Sequence, residues 1–280
     1  MTAAWVRAAG LLAGLAACPA SAAEPADILL SEGVDQVQIR TVDDPPRKTV
    51  ELIENGRTLW GSRNLFLSDS VLVLWRRQKP GIGPDLIVGG FTGGNHCSYD
   101  VMSIALDADQ PVQALSQCNH DQPRIETDAD GAPRFSIFFD VAGFNAALAF
   151  VAGTEIPLIW DRDRFVVDAQ RLITPLPDRA TLERMAQTIR GELATWRIAA
   201  YKRDSGLDAS APQTNQILLD LILHGHTAEA WALLDLAWPA GIDGQDLYRD
   251  DFNRAIADHR LWRQLALDAV LSLGPHAARH

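Results

Sequence analysis

The residues of this chain that could do chemistry crowd into one stretch, Pro84 to Cys118, PDLIVGGFTGGNHCSYDVMSIALDADQPVQALSQC. Asn95, His96, Tyr99 and Asp100 follow a glycine-rich segment that begins before Phe91, and His120 stands just beyond Cys118. An imidazole beside a carboxylate is the raw material of general acid–base catalysis, so His96, Asp100 and His120 would equip a hydrolase if they converged. Two histidines next to two cysteines also raise a Cys2His2 zinc site. Adjacent His-Cys ligands close a tetrahedron poorly, however, and two thiols in an oxidising compartment pair more simply with each other. We therefore expect a Cys97–Cys118 disulfide, contributing roughly 3 kcal/mol on the chain-entropy argument, and no metal. Phe91, Asn95, His96, Tyr99, Asp100 and His120 are expected to form a binding turn, because loops held on a rigid sheet commonly carry function.

The other candidates read as structure. Glu126, Asp128, Asp130 and Gly131 match the opening of a calcium loop, where spaced carboxylates supply oxygens and a glycine makes the bend. Ile137 stands where such a loop needs its bidentate acid, so a plain hairpin turn is expected. His224-Gly225-His226 falls at a helix–helix boundary and reads as punctuation. Gly81-Ile82-Gly83 is followed by Pro84 and has Leu86 where a dinucleotide loop wants glycine. There is no nucleophile elbow, HExxH pair or phosphate-binding loop, and no cofactor is expected.

The elements that must position these residues are strands first and helices afterwards. From Ile28 to about Ile173 apolar and polar residues alternate in short runs. Val37 and Ile39 mark one strand. Thr49 to Glu54 and Arg57 to Trp60 flank Asn55-Gly56, a strong signal for a tight hairpin. Ser70 to Trp75, Arg134 to Phe139 and Ala146 to Val151 follow the same pattern, as does the pair Pro157 to Trp160 and Arg164 to Asp168. Leu86, Ile87 and Val88 lead into Gly89, Gly90, Gly93 and Gly94, which are expected to share one turn. The strand after it, Tyr99 to Leu106, reads as buried on both faces. Beyond Pro175-Leu176-Pro177 the period changes. Leu182, Met185, Ile189, Leu193 and Trp196 share one helical face with Asp178 as N-cap, and a polar connection runs from Lys202 to Pro212. Helices are expected over Gln213 to Leu223, Thr227 to Trp238 and Asp246 to Leu273, the last broken near Asp258. Trp231, Trp238, Trp262, Tyr248 and Phe252 are spaced to share their core. The fold class is α+β: an antiparallel β domain over 24–175, a sandwich or propeller-like meander, then a helical bundle over 176–280.

Residues 1–23 carry one cation, Arg7, then an apolar run and a small-residue site at Ala20-Ser21-Ala22, the pattern of a signal peptide. Leu15-Ala16-Ala17-Cys18 also resembles a bacterial lipobox, which would leave a lipid anchor on Cys18. The expected location is therefore periplasmic or secreted, with an outer-membrane lipoprotein as the alternative. The 25 basic and 36 acidic residues give a charge of -11. Removing Arg7 with the leader makes 24 against 36, or -12, which disfavours nucleic acid and anionic lipid as partners. No later apolar run reaches the ~20 residues of a membrane span.

A weak internal repeat aligns Pro84 to Val88 with Pro133 to Ile137, and Asp107 to Ala114 with Asp161 to Ala169. Its period of roughly 50 residues is that of a propeller blade. Asp128-Ala129-Asp130-Gly131-Ala132-Pro133 resembles the acidic loop of FG-GAP repeats in exported proteins, and LHGHTAEAWALLDLAWP, with Gly225, Ala230 and Ala237 at its small positions, resembles half of a tetratricopeptide unit. These resemblances imply scaffolds that hold partners. The expected function is a non-catalytic, exported binding or cell-envelope interaction protein for an unidentified protein or small ligand. The alternative is a hydrolase with its site at the glycine-rich turn.

Overall fold

The computed structural model describes residues 27–32, 35–41, 47–62, 66–67, 70–93, 97–118, 122–141, 151–194 and 211–272. The chain is of mixed α and β type, strands first and helices last. The strands form three antiparallel meanders. The first contains β1 (Asp27–Glu32), β2 (Asp35–Thr41), β3 (Arg47–Glu54) and β4 (Arg57–Gly61), with the short β5 (Phe66–Leu67) pairing onto β3. The second contains β6 (Leu72–Arg76), β7 (Leu86–Phe91), β8 (Cys97–Ile104) and β9 (Val112–Cys118). The third contains β10 (Glu126–Thr127), β11 (Pro133–Asp140), β12 (Gly153–Asp161) and β13 (Arg164–Val167). Among the described residues these sheets close into neither a barrel nor a propeller.

Alternation along each strand stacks the sheets. In the middle sheet Leu86, Val88, Met102 and Ile104 pack against Val37, Val50, Leu52 and Phe66 of the first. Ile87, Tyr99, Val101 and Leu115 turn the other way, toward Phe135, Ile137, Phe139, Ile156 and Leu158 of the third. The middle sheet is thus covered on both faces, which is why β7 opens on the continuous apolar run Leu86 to Val88 and β8 buries Val101 beside Met102. Phe165 packs edge-on to Phe135 at 4.7 Å and to Trp160 at 5.2 Å, a favoured aromatic geometry.

Gly89 and Gly90 are strand residues of β7, not part of the turn. A Cβ on Gly89 would lie 2.7 Å from Leu74 Cδ1 and Tyr99 Cε1, and one on Gly90 would lie 2.6 Å from Phe66 Cδ1. These glycines make room for neighbouring side chains, while Gly93, beyond the strand, has a left-handed φ of 81°. The Asn55-Gly56 hairpin forms with φ of 49° and 76°. The expected strand at Ala146 to Val151 lies almost wholly outside the described residues, and Val151 itself is not in a strand.

The strands stop at Val167, earlier than the period predicts. Asp168 caps α1 (Ala169–Leu172) by accepting from the Arg171 N–H at 3.2 Å. Asp178 likewise accepts from Thr181 N at 2.8 Å to start α2 (Arg179–Ala194). There follow α3 (Pro212–Leu223), α4 (Thr227–Ala237), α5 (Gln245–Asp258), α6 (Arg260–Gln264) and α7 (Leu267–Ser272). Leu265-Ala266 adds a second interruption, with Ala266 at φ 49°. No helix among the described residues is long and apolar enough to cross a membrane.

The helices share a continuous core with the third sheet. α3 carries buried residues around most of its circumference, as expected of a helix packed on several sides. Gln216 accepts from Gly153 N at 3.0 Å and donates to Gly153 O at 2.9 Å, and Thr154 Oγ1 donates to Asp220 at 2.7 Å. Glu192 of α2 accepts from Gln213 N, Thr214 N and Thr214 Oγ1, so one helix caps the next. In the α3–α4 turn His224 Nδ1 meets Asp220 O at 2.6 Å, and buried His226 meets Thr174 O at 2.9 Å. Trp238, Tyr248, Phe252 and Trp231 form the aromatic cluster, with ring centroids about 6 Å apart in sequence of contact. Trp262 leaves that cluster and meets Phe139 of the third sheet at 6.1 Å.

Candidate functional site

Of the residues expected in the binding turn, Asn95, His96 and His120 lie outside the described residues. Phe91 ends β7, half-buried against the core shared with the third sheet. Tyr99 and Asp100, adjacent on β8, project to opposite faces of the middle sheet, because a strand alternates its side chains. Asp100 is buried and accepts a hydrogen bond from Ser116 Oγ. Tyr99 is buried on the other face, and its hydroxyl has no hydrogen-bond partner among the described residues. These two side chains thus serve different faces of the sheet, and the binding-turn expectation, half of whose residues lie outside the described ones, stays a proposal.

Burial pushes the Tyr99 phenol up to about 12 from 10.0. The raised value means that an unfolded chain releases this proton near pH 10 while the folded chain holds it to about pH 12. Stability from this group is then fully present below pH 10 and is lost as pH rises toward 12. Tyr99→Phe should flatten that alkaline loss. At pH 7 it should leave stability within about 1 kcal/mol of the parent or raise it, since the buried hydroxyl forms no bond among the described residues. Urea unfolding of both proteins at pH 7, 10 and 11.5 checks this, and a large loss at pH 7 would show that the hydroxyl is bonded in solution.

Other titratable groups, buried or half-buried, hold elements together. Asp85 accepts from Leu106 N at 2.7 Å and pairs with Arg77 at 3.1 Å. His259 accepts from Leu261 N at 3.2 Å, and its ring lies tilted 4.2 Å from that of Phe139. Burial pushes its pKa down, Asp140 opposes this and Arg260 reinforces it, so the imidazole is biased toward its neutral, cap-accepting form. In the acidic turn before β11, Asp128 accepts from Asp130 N at 3.0 Å and Ala132 N at 2.8 Å, with Gly131 at φ 95°. That carboxylate closes a turn, as the missing downstream acid predicts.

An open concave surface lies elsewhere. The β8–β9 turn, with Asp107 and Asp109, faces the β12–β13 turn, with Asp161, Arg162 and Asp163, across a pocket of about 530 Å³. A second pocket of about 220 Å³ adjoins it, sharing Asp163 and Arg164 and closed by Gln110, Gln113 and Gln264. Gln113 fixes the floor by donating to Phe165 O at 2.9 Å and accepting from Phe165 N at 2.8 Å, so its amide joins β9 to β13 as a neighbouring strand would. Gln264 of α6 donates to Ala114 O at 3.2 Å and brings the helices to the rim. Asp107 is 3.7 Å from Arg77, and Asp163 is 3.2 Å from Arg164. The side chains of Asp109, Asp161 and Arg162 have no hydrogen-bond or ionic partner among the described residues.

Both turns belong to the internal repeat, Asp107 to Ala114 and Asp161 to Ala169. The repeat was the available signal, although the local pattern says nothing about the two copies facing each other. Comparison with protein-family models, curated proteins and solved structures finds no match.

Proposed function

We propose that this is a non-catalytic, exported binding or cell-envelope interaction protein, and that its partner lies in the groove between the two acidic turns. The observation that carries the reading is the contrast between the groove and the interior. The groove is open, polar and of mixed charge, and it is built from loops on two stacked sheets, the usual setting for recognition. The buried Asp85 and Asp100 and the half-buried His259 are engaged in joining backbone and side chains. Export is supported by the leader-like first 23 residues. The resemblances to FG-GAP and tetratricopeptide units point the same way, toward scaffolds that hold partners.

The test is a charge reversal that leaves the core alone. Asp109→Lys with Asp161→Lys should weaken capture of the partner by the tagged full chain at least tenfold, with thermal unfolding within a few degrees of the parent, because both side chains are exposed. The competing hydrolase reading predicts something else: saturable cleavage of an ester, peptide or glycoside, lost in His96→Ala or His120→Ala and indifferent to the groove. That result would replace the binding reading.

A further inference from the structure

We propose that Cys97 and Cys118 are joined by a disulfide and that a one-residue bulge in β8 brings them opposite each other. From Ile104↔Val112 to Tyr99↔Gln117 the β8–β9 ladder runs in regular antiparallel register. Continued, that register would set Ser98 against Cys118 and leave Cys97 beyond the end of β9. Instead the register shifts between Cys97 and Tyr99, and Cys97 is the residue opposite Cys118. A bulge inserts one residue and re-aims the strand beyond it. Directly opposed residues of an antiparallel pair have Cα atoms about 4.5–5.5 Å apart, inside the roughly 4.4–6.8 Å range of disulfides. One irregularity in the ladder thus places these two cysteines within bridging distance.

The bond forms by thiol–disulfide exchange with a small or protein disulfide such as oxidised glutathione. One thiolate attacks the oxidant's sulfur and releases one glutathione thiolate. The second cysteine thiolate then attacks the mixed disulfide and releases the other. The protein loses two protons and two electrons, and the oxidant is reduced to two thiols. The bulge and the disulfide are independent of the binding function.

The full chain, equilibrated in a glutathione redox buffer, is digested without reduction and mapped by mass spectrometry. The expected product is one linked peptide pair carrying Cys97 and Cys118. Cys97→Ser, Cys118→Ser and the double variant should each lower the thermal midpoint by the same roughly 6–12 °C, because losing either end loses the whole link. Dithiothreitol should lower the parent by the same amount and leave the variants unchanged. Two free thiols in oxidising buffer, a link through Cys18, or additive losses in the double variant would each overturn the proposal. The peptide map of the parent decides the matter even where a variant does not fold.

Discussion

Phe139→Ala is expected to lower the free energy of unfolding by about 3–5 kcal/mol, the range for removing a fully buried aromatic. It should do so for strands and helices at once. Phe139 has no exposed surface, and its ring sits 4.2 Å from His259 and 6.1 Å from Trp262, where the third sheet meets the start of α6. Deleting it opens a void that the sheet, with Ile137 and Ile156 fully buried beside it in the same core, can relax into only partly. Because α3 is also tied to β12 through Gln216 and Asp220, weakening one side should weaken the other. Urea unfolding followed by tryptophan fluorescence and far-ultraviolet circular dichroism should give coincident transitions in parent and variant. A helical transition that stays in place while a separate β transition moves would show two independently folding parts.

Gly90→Ala should cost about 1–3 kcal/mol, an unusually large penalty for adding one methyl. The new Cβ would fall 2.6 Å from Phe66 Cδ1 and within 3.3 Å of two further ring atoms. Phe66 is fully buried between the first and middle sheets, so it has nowhere to retreat. Phe66→Leu in the same chain should recover part of the loss by vacating the contact. Gly191→Ala provides the opposite sign: that helical glycine has nothing within 4 Å of its missing Cβ, and the substitution should stabilise by roughly 0.5–1 kcal/mol. Equal effects at Gly90 and Gly191 in thermal unfolding would mean that the sheets do not pack face to face as described.

What the sequence discloses is local. Asn55-Gly56 announces its hairpin because two successive positive φ values are needed there, and Asp178 announces its helix because a carboxylate answers a free N–H. Gly89 and Gly90 mislead for a related reason. Glycine is required both where the chain bends and where another side chain needs room, and only Phe66, 24 residues before Gly90, decides between them. The groove was hidden similarly. Asp107 and Asp161 are visible as copies in a repeat, but their facing across a cleft depends on sheets stacked through Ile87, Phe135 and their neighbours. Gln113 and Gln216 gave no signal at all, since an amide that substitutes for a strand neighbour has no sequence pattern of its own. The Ser98 bulge was equally silent, because a one-residue slip leaves the apolar alternation of Val101 to Ala105 untouched.

The most direct test of the binding claim is site-specific photo-crosslinking in cells that export the full chain. A benzophenone side chain at Gln110 lies on the rim of the proposed groove, one at Thr92 lies just past the end of β7, and one at Arg57 on the outer sheet serves as control. The expected result is a discrete covalent adduct from Gln110, none from Arg57, and loss of the Gln110 adduct when Asp109→Lys and Asp161→Lys are added. An adduct from Thr92 with none from Gln110 would contradict it and move the site to the glycine-rich turn.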